Sequence, residues 1–238
     1  MKERTLQILQ ALVQDFIETA NPVASKRLLE SHHLKISSAT IRNEFALLEE
    51  VGLVKSPHIS AGKIPTEKGY RFFVDQFLEN QTPNEEKIIT DLFTKRLKEY
   101  KFQKSKETVI DALRILSQLS GNVAFANLDN DQTFYIGLSK VLRSPEFLHE
   151  PEMAAQIVEI LEGRTRFQDL LQSLDLPTKT AKIFIGKENL LEEISSCAML
   201  VIRFSEKNIS GTLGILGPMR MQYSFNKLLL QNAVELIF

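Results

Sequence analysis

Residues 37–73 restrict the fold more than any other stretch of the chain. They read SSATIRNEFALLEE, then VGLVKSP, then HISAGKIPTEKGYRFF. Ile41, Phe45 and Leu48 are spaced by four and three, which places them on the inward face of a helix. Ser37 or Ser38 can cap its start, and Val51-Gly52 ends it. Two short extended arms, 53–57 (LVKSP) and 63–65 (KIP), then flank the Gly-containing turn HISAG. Thr66 caps the following helix, and Glu67 lies in its first turn, where a negative charge is favoured. That helix carries Tyr70, Phe72, Phe73, Phe77 and Leu78. Upstream, Leu9, Leu12, Val13 and Phe16 form a helical stripe that Asn21-Pro22 closes. Ser25 to Glu30 makes a short second helix, with Leu28 and Leu29 expected inward. Three helices and a two-stranded hairpin over residues 1–80 describe a winged helix-turn-helix.

The remainder reads as a second domain. With 238 residues the chain can form one large or two ordinary domains. QTPNEEK, residues 81–87, is a polar break containing Pro and marks the boundary. Residues 81–105 are expected as a charged helical connector. The basic cluster Lys95, Arg96, Lys98, Lys101, Lys104 and Lys106 reads as a solvated helix face. From 106 to 238, helical patterns (Val109, Leu113 and Leu116; PEMAAQIVEILEG; RFQDLLQSL; FNKLLLQNAVELIF) mix with strand-like runs (GNVAFANLD, AKIFIG, AMLVIRF, GTLGILG). FYIGLS is expected to be helical. The fold class is therefore α+β, with a sheet assembled from segments far apart in sequence.

Several functions are disfavoured at this level. The single cysteine, Cys197, lies in an apolar run, so neither a disulfide framework nor a cysteine-rich metal site is expected. His32, His33, His58 and His149 show no metal-ligand spacing. No nucleophile motif, phosphate loop or catalytic carboxylate pair is present, so neither an enzyme nor a cofactor is expected. No apolar run is long enough for a membrane span, and MKERTLQ does not read as a signal peptide, so a cytoplasmic location is the default.

The chemistry of the first domain points to nucleic acid. The major groove of B-DNA admits one helix, and a recognition helix enters it tip first. The tip here offers Ser37, Ser38, Ala39, Thr40, Arg42 and Asn43. Arg can donate two hydrogen bonds to guanine and Asn can pair with adenine, while free N–H groups at the helix start attract phosphate. Lys55, His58, Ser60 and Lys63 surround the hairpin turn and can follow a phosphate backbone or reach the minor groove. The net charge is −1, so such a surface must be local. Residues 51–73 hold Lys55, Lys63, Lys68 and Arg71 against Glu67 alone, a local excess of positive charge.

The stretches NPVASKRL, SSATIRNEFALLEEVGLV, SPHISAGKIPTEKGYRFFVD, FYIGLSKVLRSPEF, IGKENLLEEISSCAMLVI and GTLGILGPMRMQY resemble the HrcA family of bacterial heat-inducible transcription repressors. The resemblance implies a winged helix followed by a GAF-like domain. It also implies a homodimer that binds double-stranded DNA at an inverted-repeat operator, the CIRCE element, and that depends on the GroE chaperonin for activity. The DNA contacts it implies are Ser38, Thr40, Arg42, Asn43, His58, Ser60 and Lys63. Family members carry a dimerising segment inserted before FYIGLS. Here only LDNDQT, residues 128–133, occupies that place. Dimerisation is then expected through the apolar surface of helix 66–80 or through the rest of the second domain. The alternative is a winged-helix regulator that responds to a small ligand, with IGKEN and GPMRM at a pocket.

Overall fold

The computed structural model describes every residue except 33–35, 59–60, 79–82, 100–104, 130–131, 149, 164, 179, 207–208 and 238. It divides into two compact units, Met1–Asn80 and Gln81–Phe238.

The first unit contains α1 (Glu3–Thr19), α2 (Ser25–Ser31), α3 (Ser38–Glu50), the strands β1 (Val54–Lys55) and β2 (Ile64–Pro65), and α4 (Glu67–Phe77). Its core is the apolar stripe of each helix: Leu9, Leu12, Val13, Leu28, Ile41, Leu48 and Tyr70 are all buried. Leu29 is only half-buried, so α2 commits one leucine to the core rather than two. At the end of α3, Gly52 (φ 74°) donates to the Glu49 carbonyl and Leu53 donates to the Leu48 carbonyl. This paired closure needs a left-handed residue, which glycine supplies without strain. The chain then turns directly into β1. Val54 pairs with Pro65 and Lys55 with Ile64. Val23 extends this hairpin by exchanging two backbone hydrogen bonds with Lys63, at 2.8 and 2.9 Å.

The second unit contains α5 (Pro83–Leu97), α6 (Ser105–Ser120), β3 (Val123–Leu128), β4 (Thr133–Ile136), α7 (Ser139–Arg143), α8 (Pro145–Leu148), α9 (Pro151–Glu162), α10 (Thr165–Ser173), β5 (Lys182–Ile185), β6 (Cys197–Glu206), β7 (Ile209–Pro218) and α11 (Tyr223–Ile237). Its five strands form an antiparallel sheet in the order β4-β3-β7-β6-β5. Alternation along the strands divides the core. Val123, Phe125, Met199, Val201 and Leu216 join Ile157, Leu161 and Phe167 of α9 and α10. The other face is covered by α6 and α11. Burial on both faces explains why AMLVIRF and GTLGILG read as near-continuous apolar runs.

Two expectations change here. The charged stretch 81–105 does not simply connect: α5 buries Ile89 and Phe93, packs on α11, and belongs to the second unit. FYIGLS is not a helix throughout. Phe134, Tyr135 and Ile136 pair with Ala126, Phe125 and Ala124 as strand β4, and helix begins only at Ser139, after Gly137 (φ 92°). A run of aromatic and β-branched residues beside an open strand edge favours the ladder over helix.

Candidate nucleic-acid interface

The helix α3 is held from one side and open on the other. Ile41, Phe45 and Leu48 are buried, as their spacing requires. Glu44 shares that inward side and is buried too. Its carboxylate accepts from the Thr5 hydroxyl at 2.7 Å and from Arg4 Nε at 2.8 Å, which ties α3 to the start of α1. The Thr5 hydroxyl, and then the Arg4 guanidinium, hold the Glu44 carboxyl below the usual carboxylate range against the opposing effect of burial. A matching tie joins α1 to α2: Arg27 Nε donates to the buried Asp15 at 2.7 Å. Both pairs are charge-assisted hydrogen bonds that fix how three helices meet. None of these residues was singled out from the sequence, although the helical period places Glu44 between Ile41 and Leu48.

The outward side of α3 presents Ala39, Arg42, Asn43, Ala46 and Glu50, all exposed. Ser37 is the capping residue: its hydroxyl accepts from the Thr40 amide at 3.1 Å and lies 2.9 Å from the Thr40 hydroxyl. Ser38 is thus the first helical residue and is half-buried. Arg42 Nε approaches the Ser25 hydroxyl at 3.4 Å, a long contact for a hydrogen bond, and its side chain is exposed. The tip therefore brings Ser38, Thr40, Arg42 and Asn43 together on one end of one helix.

The wing supplies the remaining positions. His58 is exposed, and its carbonyl accepts from Ala61 at 3.0 Å across the turn. Ser60 lies outside the described residues. Lys63 is placed differently from His58. Its ammonium donates to Glu49 Oε2 at 2.5 Å and to the Ser56 hydroxyl at 2.7 Å, and only 16% of its side chain is exposed. Glu49 also accepts from the Ser56 amide at 3.1 Å. The Lys63 ammonium holds the Glu49 carboxyl below its ordinary value. At the C-terminal end of α3, Lys68 Nζ donates to the Val51 carbonyl at 2.8 Å, where a cation is favoured by the helix dipole. Lys55 is exposed on β1.

Two glycines let these pieces approach. A Cβ on Gly62 would stand 2.4 Å from the Val23 carbonyl carbon. One on Gly69 would stand 2.0 Å from the Leu53 carbonyl oxygen. Both contacts are with backbone, so the GKIPTEKG spacing is set by close packing of the wing and α4 on their neighbours. In the second unit, IGKEN ends β5 in a 3-10 turn, where buried Asn189 donates to the carbonyls of Gly186 and Cys197, each at 2.8 Å. GPMRM ends β7.

A three-helix unit with a hairpin wing and a polar, cationic tip on its third helix is a winged-helix DNA-binding module. The comparisons with known proteins make this specific. A family model described as a winged helix-turn-helix transcription repressor, HrcA DNA-binding, matches residues 2–79, and the HrcA protein C terminal domain matches residues 72–225. The chain belongs to the HrcA family of heat-inducible transcription repressors.

A heat-inducible transcription repressor HrcA from Ruminiclostridium cellulolyticum is 28% identical over 323 residues, covering 94% of this chain and 92% of the relative. Those aligned positions outnumber the 238 residues here, so the relative carries segments without a counterpart in this chain. Another HrcA, from Pseudarthrobacter chlorophenolicus, is 44% identical over 124 residues, covering 51% of this chain and 35% of the relative. A crystal structure described only as a hypothetical protein shares the fold with a TM-score of 0.80 at 17% identity, over 100% of this chain and 97% of that one. Among the described residues no helix is long and apolar enough to cross a membrane.

Proposed function

We propose that this repressor binds an inverted-repeat operator of the CIRCE type ahead of chaperone genes, as a homodimer, and that the GroE chaperonin keeps it active. In this reading α3 enters the major groove tip first. Arg42 and Asn43 meet base edges, while Ser38, Thr40 and the helix-start amides meet phosphate. His58 and Ser60 carry the wing along the backbone. Lys63 acts from the wing's base, through its tie to Glu49. When heat fills the chaperonin with unfolded protein, the repressor loses its support and the operator is released.

One observation carries the DNA reading: Arg42 and Asn43 stand exposed at the tip of α3, opposite its buried Ile41, Phe45 and Leu48. Fluorescence anisotropy tests it, with a labelled inverted-repeat duplex and a scrambled duplex titrated across a salt series, with and without chaperonin. Preferential, salt-sensitive binding that strengthens with chaperonin is expected. Equal or absent binding to both duplexes by folded protein contradicts it. Preferential binding indifferent to the chaperonin contradicts the regulatory half alone.

A further inference from the structure

Glu85, Ile88, Leu92 and Lys95 recur along α5 at intervals of three, four and three residues. That spacing places them on one stripe of the helix, the seam pattern of paired helices. The other side of α5 is committed inward: Ile89 and Phe93 are buried, and α5 packs on α11 and α6. The stripe faces outward, with Ile88 50% exposed, Leu92 42% exposed, and Glu85 and Lys95 exposed at its ends. Two large aliphatic side chains on successive turns form an apolar stripe on an otherwise charged helix surface.

We propose that this stripe is where two copies of the chain pair, α5 against α5, antiparallel about a two-fold axis beside residue 90. The inference rests on the homodimer proposed above and assigns its surface. The order of charge along the helix selects a second copy. The N-terminal end carries Glu85 and Glu86, and the C-terminal end carries Lys95 and Arg96. An antiparallel pair sets each acidic end beside a basic end. In this register Ile88 lies opposite the partner's Leu92, and Glu85 lies opposite the partner's Lys95. The reverse pairs follow by symmetry, as an isologous contact requires. A parallel pair would instead set Glu85 against the partner's Glu85 and align the two helix dipoles, and both are unfavourable. One helix pair is a small interface, so an inverted repeat that holds two chains side by side strengthens it.

Disulfide trapping in the full chain tests the register. Cys197 is buried, and its thiol is pushed up to about 12, so it does not compete. A mixture of Ile88→Cys and Leu92→Cys chains should cross-link under mild oxidation. Each variant alone should cross-link far more slowly, because like positions are offset by about 6 Å along the axis. Leu92→Glu, shown by circular dichroism to be folded, should raise the dimer dissociation constant about a hundredfold by setting unpaired carboxylates in the contact. A mixture no faster than the single variants, or a dimer that survives Leu92→Glu, overturns this surface and leaves the dimer itself standing. A chain that sediments as a monomer, both free and on the inverted repeat, overturns both.

Discussion

Lys63 and Glu49 hold the wing to α3. The ammonium and carboxylate meet at 2.5 Å, and Ser56 completes the clip with its hydroxyl bonded to Lys63 and its amide to Glu49. The backbone of the same lysine forms the bridge to Val23. One residue thus joins the wing to α3 by its side chain and to the segment before α2 by its main chain. A lysine placed this way sets where the wing lies.

A phosphate contact and a clip give different signatures on salt. Loss of a phosphate contact lowers the slope of log affinity against log salt by about one. Lys63→Ala is expected to weaken binding to all duplexes while changing that slope by clearly less than one. Glu49→Gln should weaken binding similarly, although it removes a negative charge. Anisotropy titrations at several salt concentrations check both. Tighter binding by Glu49→Gln would show that Glu49 merely repels phosphate.

The Glu44 cluster makes the first unit sensitive to acid. Its carboxyl is held below the usual range, first by the Thr5 hydroxyl and then by Arg4. The unfolded chain therefore takes up that proton more readily than the folded one. The stabilising contribution is complete above the unfolded value of about 4.3 and is lost as pH falls through the lower folded value. Glu44→Ala should cost about 2 kcal/mol at neutral pH, because the buried Thr5 hydroxyl loses its acceptor while Arg4, 49% exposed, can turn to water. Glu44→Gln should cost about 1.5 kcal/mol and flatten the loss of stability in acid. Urea unfolding from pH 3 to 7 measures both.

Gly69→Ala should destabilise the first unit by about 3 kcal/mol, because the added methyl meets the Leu53 carbonyl and neither backbone can yield cheaply. Gly62→Ala meets the Val23 backbone and should cost about as much, while also displacing the wing. Gly52→Ala meets no atom within 4 Å and should cost about 1 kcal/mol from its positive φ alone. Denaturant midpoints of the three variants give the ranking.

The periodic parts of this fold were legible. Ile41, Phe45 and Leu48, the Gly52 stop and the Thr66 cap each obey a local rule, and the structure follows each. What sequence reading missed depends on partners distant along the chain. Glu44 looks like a surface acid until α1 brings Thr5 and Arg4 to it, 39 and 40 positions away. Lys63 reads as a free cation on a basic loop until Glu49 is folded beside it. The FYI run carries aromatic and β-branched residues that favour a strand once an edge lies beside them, and β3, outside the local pattern, supplies that edge. α5 reads as a charged connector because, of its 15 residues, Ile89 and Phe93 alone are buried. Arg42 and Asn43 lie on the exposed side of α3, which the spacing of Ile41, Phe45 and Leu48 already fixed from neighbours close in sequence.

The central claim is that the tip of α3 reads bases. The most direct measurement is the ratio of affinities for the inverted-repeat and scrambled duplexes, in wild type and in Arg42→Ala, at one salt concentration. A base-reading Arg42 predicts that the variant loses about 1–3 kcal/mol of preference while its affinity for the scrambled duplex changes far less. An unchanged ratio, in a variant that is folded and still binds DNA, would contradict the assignment of α3 as the recognition helix.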